Sequence, residues 1–272
     1  MMILLTSALT LTLAFYILYL FIPQWDSWLF RVRKTLKQGE KICCLTFDDG
    51  PSKEWTPQIL DILKGNDIRA NFFITGERAN QSPDIVKRIA SEGHEIGNHT
   101  MTHRKLTFCS KEVLQKEIAE CNEVLKSITG KSPLLFRAPH GFKPPLMRIR
   151  NVIARTQSER SKIPPSPPLK KGGVGGFGIS TAPSDFFKGL TLIPWTKGLW
   201  DTDMPPADVL IKRVTKNFKP LEILLLHDGI DNRPIPQHRE STVEALPKII
   251  DEYKKRGYRF ATVSELNRMI KR

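Results

Sequence analysis

Two adjacent carboxylates, Asp48 and Asp49, end an apolar run in LTFDDGP, residues 45–51. Neighbouring carboxylates raise each other's pKa, so a fold keeps them together where a cation is held or a proton is moved. Alone, the stretch also reads as a solvated Asp-Asp-Gly-Pro turn. Three further stretches bear on that choice. GNHTMTH, residues 97–103, spaces His99 and His103 so that on a helical turn both imidazoles face one way and can share a metal. FRAPHG, residues 136–141, ends a strand candidate with Arg137, and LLLHDG, residues 224–229, delivers His227 and Asp228 from another apolar run. Taken singly, surface histidines, a structural ion-pair arginine and a satisfied core histidine account for them. Taken together, every polar group falls at the C-terminal end of a strand candidate, where a parallel α/β barrel gathers its site. An Asp/His/His set leaves an open metal position for water, a spare carboxylate can act as base, and a histidine opposite can act as acid. One aspartate then holds the metal and the other takes the proton.

Strand candidates at Lys41–Phe47, Arg69–Ile74, Glu95–Asn98, Leu134–Arg137, Leu190–Pro194, Leu221–His227 and Arg259–Val263 must position these groups. Segments of helical spacing separate them. Pro57 and Pro83 sit at helix starts, Ser110 caps a long amphipathic helix through Val113, Leu114, Ile118, Cys121, Leu125 and Ile128, and another helix over Thr242–Arg256 stops at Gly257. The alternation predicts an α/β fold with a parallel sheet, open or closed into a barrel. Residues 157–189 do not fit, because PPSPPLKKGGVGGFG has too little apolar surface to build a core. They read as a disordered insertion looping out of the domain.

At 272 residues the chain has room for one large domain. Its net charge of +14 points to an anionic neighbour, either a membrane surface or an acidic wall polymer. Nucleic acid ranks last, since no aromatic-basic interleaving or helix-turn-helix pattern is present. Residues 1–22 carry no charged side chain and are long enough to span a bilayer, with Trp25 and Trp28 at the interface. A basic start and a small-residue cleavage site are both lacking, so residues 1–24 read as an uncleaved transmembrane anchor and 25–40 as a basic linker. Arg31, Arg33, Lys34 and Lys37 follow the span, and the positive-inside rule taken literally would leave the domain in the cytoplasm. The four cysteines, Cys43, Cys44, Cys109 and Cys121, form no CxxC, so a cysteine-zinc site is not expected. Cys43 and Cys44 should point to opposite faces of their strand as buried thiols.

TFDDGP, HTMTH, RAPHG and LLLHDG, in that order, resemble the motifs of the NodB-type polysaccharide deacetylases, carbohydrate esterase family 4. FFITGERA, GHEIGNH and RGYRFATVSEL are similar to that family too, and the resemblance extends over about residues 38–270 apart from the insertion. It implies a distorted (β/α) barrel over 41–270 that removes N-acetyl groups from a glycan with a divalent metal. By the same resemblance Asp49, His99 and His103 bind the metal, and Asp48 is the general base that activates the attacking water. Arg137 orients Asp48, the backbone N–H of His140 helps hold the oxyanion, and His227 protonates the leaving amine. Asp201, in WTKGLWDT, matches the aspartate that pairs with that histidine. Three features depart from the family pattern: His140 replaces the usual tyrosine, Thr202 rather than tryptophan follows Asp201, and the insertion separates the third and fourth motifs.

The expectation is a monomeric, membrane-anchored N-deacetylase of an N-acetylglucosamine polymer, with zinc the metal that best suits an Asp/His/His set. Peptidoglycan, a chitin-like oligomer or an exopolysaccharide would serve as substrate, and the domain is expected outside the cytoplasmic membrane. A glycan-binding protein with an inactive barrel is the competing reading, though a binding module needs neither acid nor base. A cytoplasmic amide hydrolase of a small molecule rests only on the charge bias behind the anchor.

Overall fold

The computed structural model describes residues 27–107, 109–141, 190–230 and 238–270. The sheet is built on β1 (Ile42–Gly50), whose every residue is buried. Burial on both faces explains why CCLTF reads as a near-continuous apolar run rather than an alternation. β1 pairs with β7 (Leu221–His227) from Ile42 to Asp48, and with β2 (Asn71–Ile74) from Thr46 onward. β8 (Arg259–Phe260) takes the start of β1, at Ile42 and Cys43. Beyond β2 lie β3 (Glu95–Asn98), β4 (Leu135–Phe136) and β5 (Thr191–Leu192), and β6 (Lys197–Gly198) flanks β7 on the other side. Every pairing is parallel.

The two edge strands are halves of one bent segment. Ile193 N donates to Phe136 O at 2.8 Å on the β4 side, and Thr196 N donates to Ile223 O at 3.0 Å on the β7 side. That bend curls the sheet, so the expected distorted barrel takes the form of a curled parallel half-barrel.

Side-chain alternation on β1 separates two cores. Cys43, Leu45 and Phe47 face the helices α2 (Trp55–Gly65), α4 (Pro83–Ser91), α6 (Ala207–Thr215) and α7 (Glu240–Lys255). Ile42 and Cys44 face the interior of the curl with Phe73, Leu135, Ile193, Leu221 and Ile223. Cys43 and Cys44 thus lie on opposite faces as their adjacency requires, and all four cysteines are free thiols. A third cluster sits between β4 and α5 (Lys111–Thr129), which Ser110 caps by accepting from Val113 N at 3.4 Å. The short α3 (Gly76–Gln81) follows β2.

Part of the segment expected as a linker is ordered. Residues Ser27–Thr35 form α1, and its Leu29 and Val32 enter the interior core beside Val263 and Leu266 of α8 (Val263–Ile270). The base of the curl is thereby plugged. Among the described residues no helix is long and apolar enough to cross a membrane. The expected span and the 157–189 insertion lie outside them.

Candidate active site

The C-terminal end of β1 is fixed by its neighbour before any side chain acts: Asp228 N and Gly229 N donate to Asp48 O at 3.2 and 3.4 Å. Asp48 keeps strand geometry, and its Oδ1 accepts from Arg137 Nη1 at 2.8 Å. The same nitrogen lies 2.6 Å from Thr46 Oγ1, two residues earlier on the same face. Asp49 instead has φ 69, a left-handed conformation that costs a non-glycine residue about 1–3 kcal/mol. Adjacent aspartates consequently meet different partners.

Asp49 Oδ1 lies 3.0 Å from His103 Nε2 and 3.3 Å from His99 Nε2, and the three ligand atoms lie within 4.8 Å of one another. The expected helical turn is absent here. His99 follows β3, and the two rings are brought within 5.0 Å by a loop in which Thr100 and His103 have φ 70 and 57. Burial alone would push the Asp49 carboxyl up, but the approach of His103 and then His99 outweighs it and holds the group well below the usual carboxylate range. Asp49 Oδ1 is nonetheless a buried oxygen with no hydrogen bond in line. His99 Nδ1 is 2.8 Å from Arg137 O, a carbonyl that can only accept, so this nitrogen carries a proton, and in the neutral imidazole Nε2 is left with a lone pair toward Asp49. A buried carboxylate oxygen that completes no hydrogen bond, with two imidazoles converging on it, fits a cation, and the residues present therefore suit a metal.

Arg137 lies inside the curl. Its Nε and Nη2 donate to Ile193 O and Pro194 O of the bent segment at 3.1 and 3.3 Å, and its guanidinium stacks 4.1 Å from the Phe73 ring centroid. One buried cation thus ties the closing bend to the end of β1. His140 has φ 56 and an exposed side chain, with its ring 4.8 Å from that of His103.

The opposite wall comes from β7. His227 is the register partner of Asp48, and its Nδ1 lies 2.7 Å from Asp201 Oδ1. Asp201 Oδ2 accepts from His227 N at 2.8 Å and from Thr242 Oγ1 at 2.9 Å. Burial pulls the imidazole pKa down, yet Asp201 outweighs it and raises the value to about 9. Burial would likewise raise Asp201, and His227 holds it down instead. All eight side chains or backbone groups expected at the site lie at this end of the sheet.

Sequence reasoning missed three contributors. Thr46 stood in TFDDGP without a role, and Thr242 lies in no motif. Asp228 stood in LLLHDG without a role; it is fully buried, accepts from Thr56 Oγ1 at 2.6 Å, and burial pushes its carboxyl up to about 7. Its carboxylate lies directly over Gly50, where any Cβ would collide with it. The glycine of DDGP was the available signal: close backbone approach demands it.

The family described as polysaccharide deacetylase matches residues 35–157. A peptidoglycan-N-acetylglucosamine deacetylase of Bacillus cereus is 37% identical over 230 residues, covering 85% of this chain and 90% of that protein. A chitooligosaccharide deacetylase of Rhizobium leguminosarum bv. trifolii is 31% identical over 219 residues, covering 79% of this chain and 86% of its own. The crystal structure of a peptidoglycan N-acetylglucosamine deacetylase in complex with 4-naphthalen-1-yl-N-oxidanyl-benzamide superposes with a TM-score of 0.65 at 29% identity, over 85% of this chain and 89% of that one. Because the ordered motifs, the curled sheet and these likenesses agree over most of the chain, it belongs to the polysaccharide deacetylase family and is a polysaccharide N-deacetylase.

Proposed function

We propose that the enzyme hydrolyses N-acetyl groups on an N-acetylglucosamine-containing cell-wall polymer, with peptidoglycan the preferred substrate. Asp49, His99 and His103 would hold a divalent metal, zinc being the best match to the donor set. The observation that carries this reading is the pairing of Asp48 and His227 in register on adjacent strands, beside the convergent Asp49, His99 and His103. The identity to a peptidoglycan-N-acetylglucosamine deacetylase supports the substrate class.

An amide is a poor electrophile with a poor leaving group. A metal held by Asp49, His99 and His103 would supply positive charge that polarises a carbonyl and lowers the pKa of a water, so that it is more readily deprotonated to a nucleophile. This chain's residues do the rest. Arg137 holds Asp48 Oδ1, and Oδ2, 3.8 Å from His99 Nε2, faces the site and takes the proton from the attacking water. The His140 backbone N–H, in a left-handed turn at φ 56, would stabilise the developing oxyanion. Asp201 engages His227 Nδ1, so Nε2–H is the proton given to the amide nitrogen as the C–N bond breaks. Acetate and a free amine leave.

The chain acts as a monomer, and its apolar N-terminal run holds the domain outside the cytoplasmic membrane. The competing inactive glycan-binding reading rests on the insertion between the third and fourth motifs and is not favoured, since base, acid and ligand set are all retained. The purified full-length chain with Zn2+ should release acetate from peptidoglycan faster than from chitin oligomers or an N-acetylated exopolysaccharide. Release of acetate from none of them would contradict the reading.

A further inference from the structure

We propose that Glu117 is a positioning residue for His103, acting through Thr102; the inference rests on the metal site proposed above. Glu117 lies on α5 in a stripe whose other buried members are Leu114, Ile118, Cys121 and Leu125. A carboxylate at such an apolar position costs several kcal/mol unless its oxygens are hydrogen-bonded. Both oxygens are satisfied by one residue of the ligand loop: Thr102 N donates to Oε2 at 2.9 Å and Thr102 Oγ1 to Oε1 at 2.8 Å.

The residues ahead of Thr102 are held by other groups. Asn98 Oδ1 accepts from Thr100 N at 2.7 Å, and Asn98 Nδ2 donates to Ile118 O at 2.9 Å and Asn122 Oδ1 at 2.7 Å. The start of α3 takes the loop's carbonyls, with Gly76 N and Glu77 N donating to Thr100 O and Met101 O, each at 3.0 Å. Thr102 is the last residue before His103, whose φ of 57 is disfavoured for a non-glycine residue. The Glu117 clamp supplies the constraint that keeps His103 in that conformation, with its Nε2 beside Asp49. Without it the backbone at 103 relaxes toward φ below zero and the imidazole swings off the site, while the fold around β1 and β7 stays as it is.

The test titrates the purified, chelator-stripped full-length chain with Zn2+ against a chromogenic chelator. Glu117→Ala should raise the zinc dissociation constant about tenfold, within the range typical of residues behind metal ligands. Glu117→Gln keeps an acceptor for Thr102 N and should fall between Glu117→Ala and wild type. Turnover of Glu117→Ala should approach wild type once zinc is saturating, because base and acid are untouched. A folded Glu117→Ala that binds zinc with the wild-type constant would overturn the proposal. Should that variant not fold, Thr102→Val, which deletes only the hydroxyl, carries the test: weaker zinc binding supports the clamp and an unchanged constant overturns it. Asp49→Ala separates the two levels of the argument. If wild type and Asp49→Ala bind zinc alike, the metal site is wrong and the clamp falls with it. If only Asp49→Ala loses zinc while Glu117→Ala does not, the clamp alone fails.

Discussion

Asp48 and Asp49 carry the same side chain one position apart, and the left-handed turn at Asp49 sends their carboxylates to Arg137 and to His99 and His103 respectively. Asp48→Asn is nearly isosteric and removes only the proposed base, so it should keep metal and lose about a hundredfold to ten-thousandfold in turnover, roughly 3–5 kcal/mol of barrier. Asp49→Ala should lose metal and turnover together. Metal per protein measured beside acetate release checks both, and an Asp48→Asn that lost metal while Asp49→Ala kept it would reverse the roles. His227, the proposed acid, should carry the pH dependence. As acid it must be protonated, and with a pKa raised to about 9 turnover should hold through neutrality and fall as pH rises through about 9. Asp201→Asn removes the raising charge and should move that limb toward about 6.5. The same pair stabilises the fold. The share that comes from His227 is lost as pH rises from about 6.5 through about 9, because the native state holds the proton longer, and the share from Asp201 is lost in acid as its lowered carboxyl is protonated. Asp48, Asp49, His99, His103 and His227 were legible because each stands at the end of an apolar run or in a spaced pair. Thr46, Thr242 and Glu117 were not, since a threonine or a helix glutamate acquires meaning only from partners far away in the chain.

Elements with local signals were read to within a few residues: Glu95–Asn98 and Leu221–His227 match, and the helix before Gly257 runs over Glu240–Lys255. β6 was missed. Its ladder is made with β7, and nothing within KG itself predicts a strand. The basic run at residues 31–37 hid α1 behind its charges, although Leu29 and Val32 already stood at helical spacing. Because both are fully buried at the base of the curl, Leu29→Ala should cost about 2–5 kcal/mol, as large-to-small core changes do. Chemical denaturation measures it. A change below about 0.5 kcal/mol, the range of surface substitutions, would show that the helix does not seal the interior.

At the scale of the whole molecule, the proposed placement outside the cytoplasmic membrane rests on charge and on the apolar N-terminal run. A net charge of +14 suits a domain lying between anionic lipid and an anionic wall. Protease added to intact cells should degrade the domain, and full protection while other surface proteins are digested would place it inside. The central proposal is that deacetylation depends on a metal held by Asp49, His99 and His103. The direct measurement is acetate release from peptidoglycan by the purified full-length chain, stripped with a chelator and then given Zn2+ in increments. Negligible release from the stripped chain is expected, with recovery that saturates near one zinc per chain. Undiminished release from the fully stripped chain would contradict the proposal.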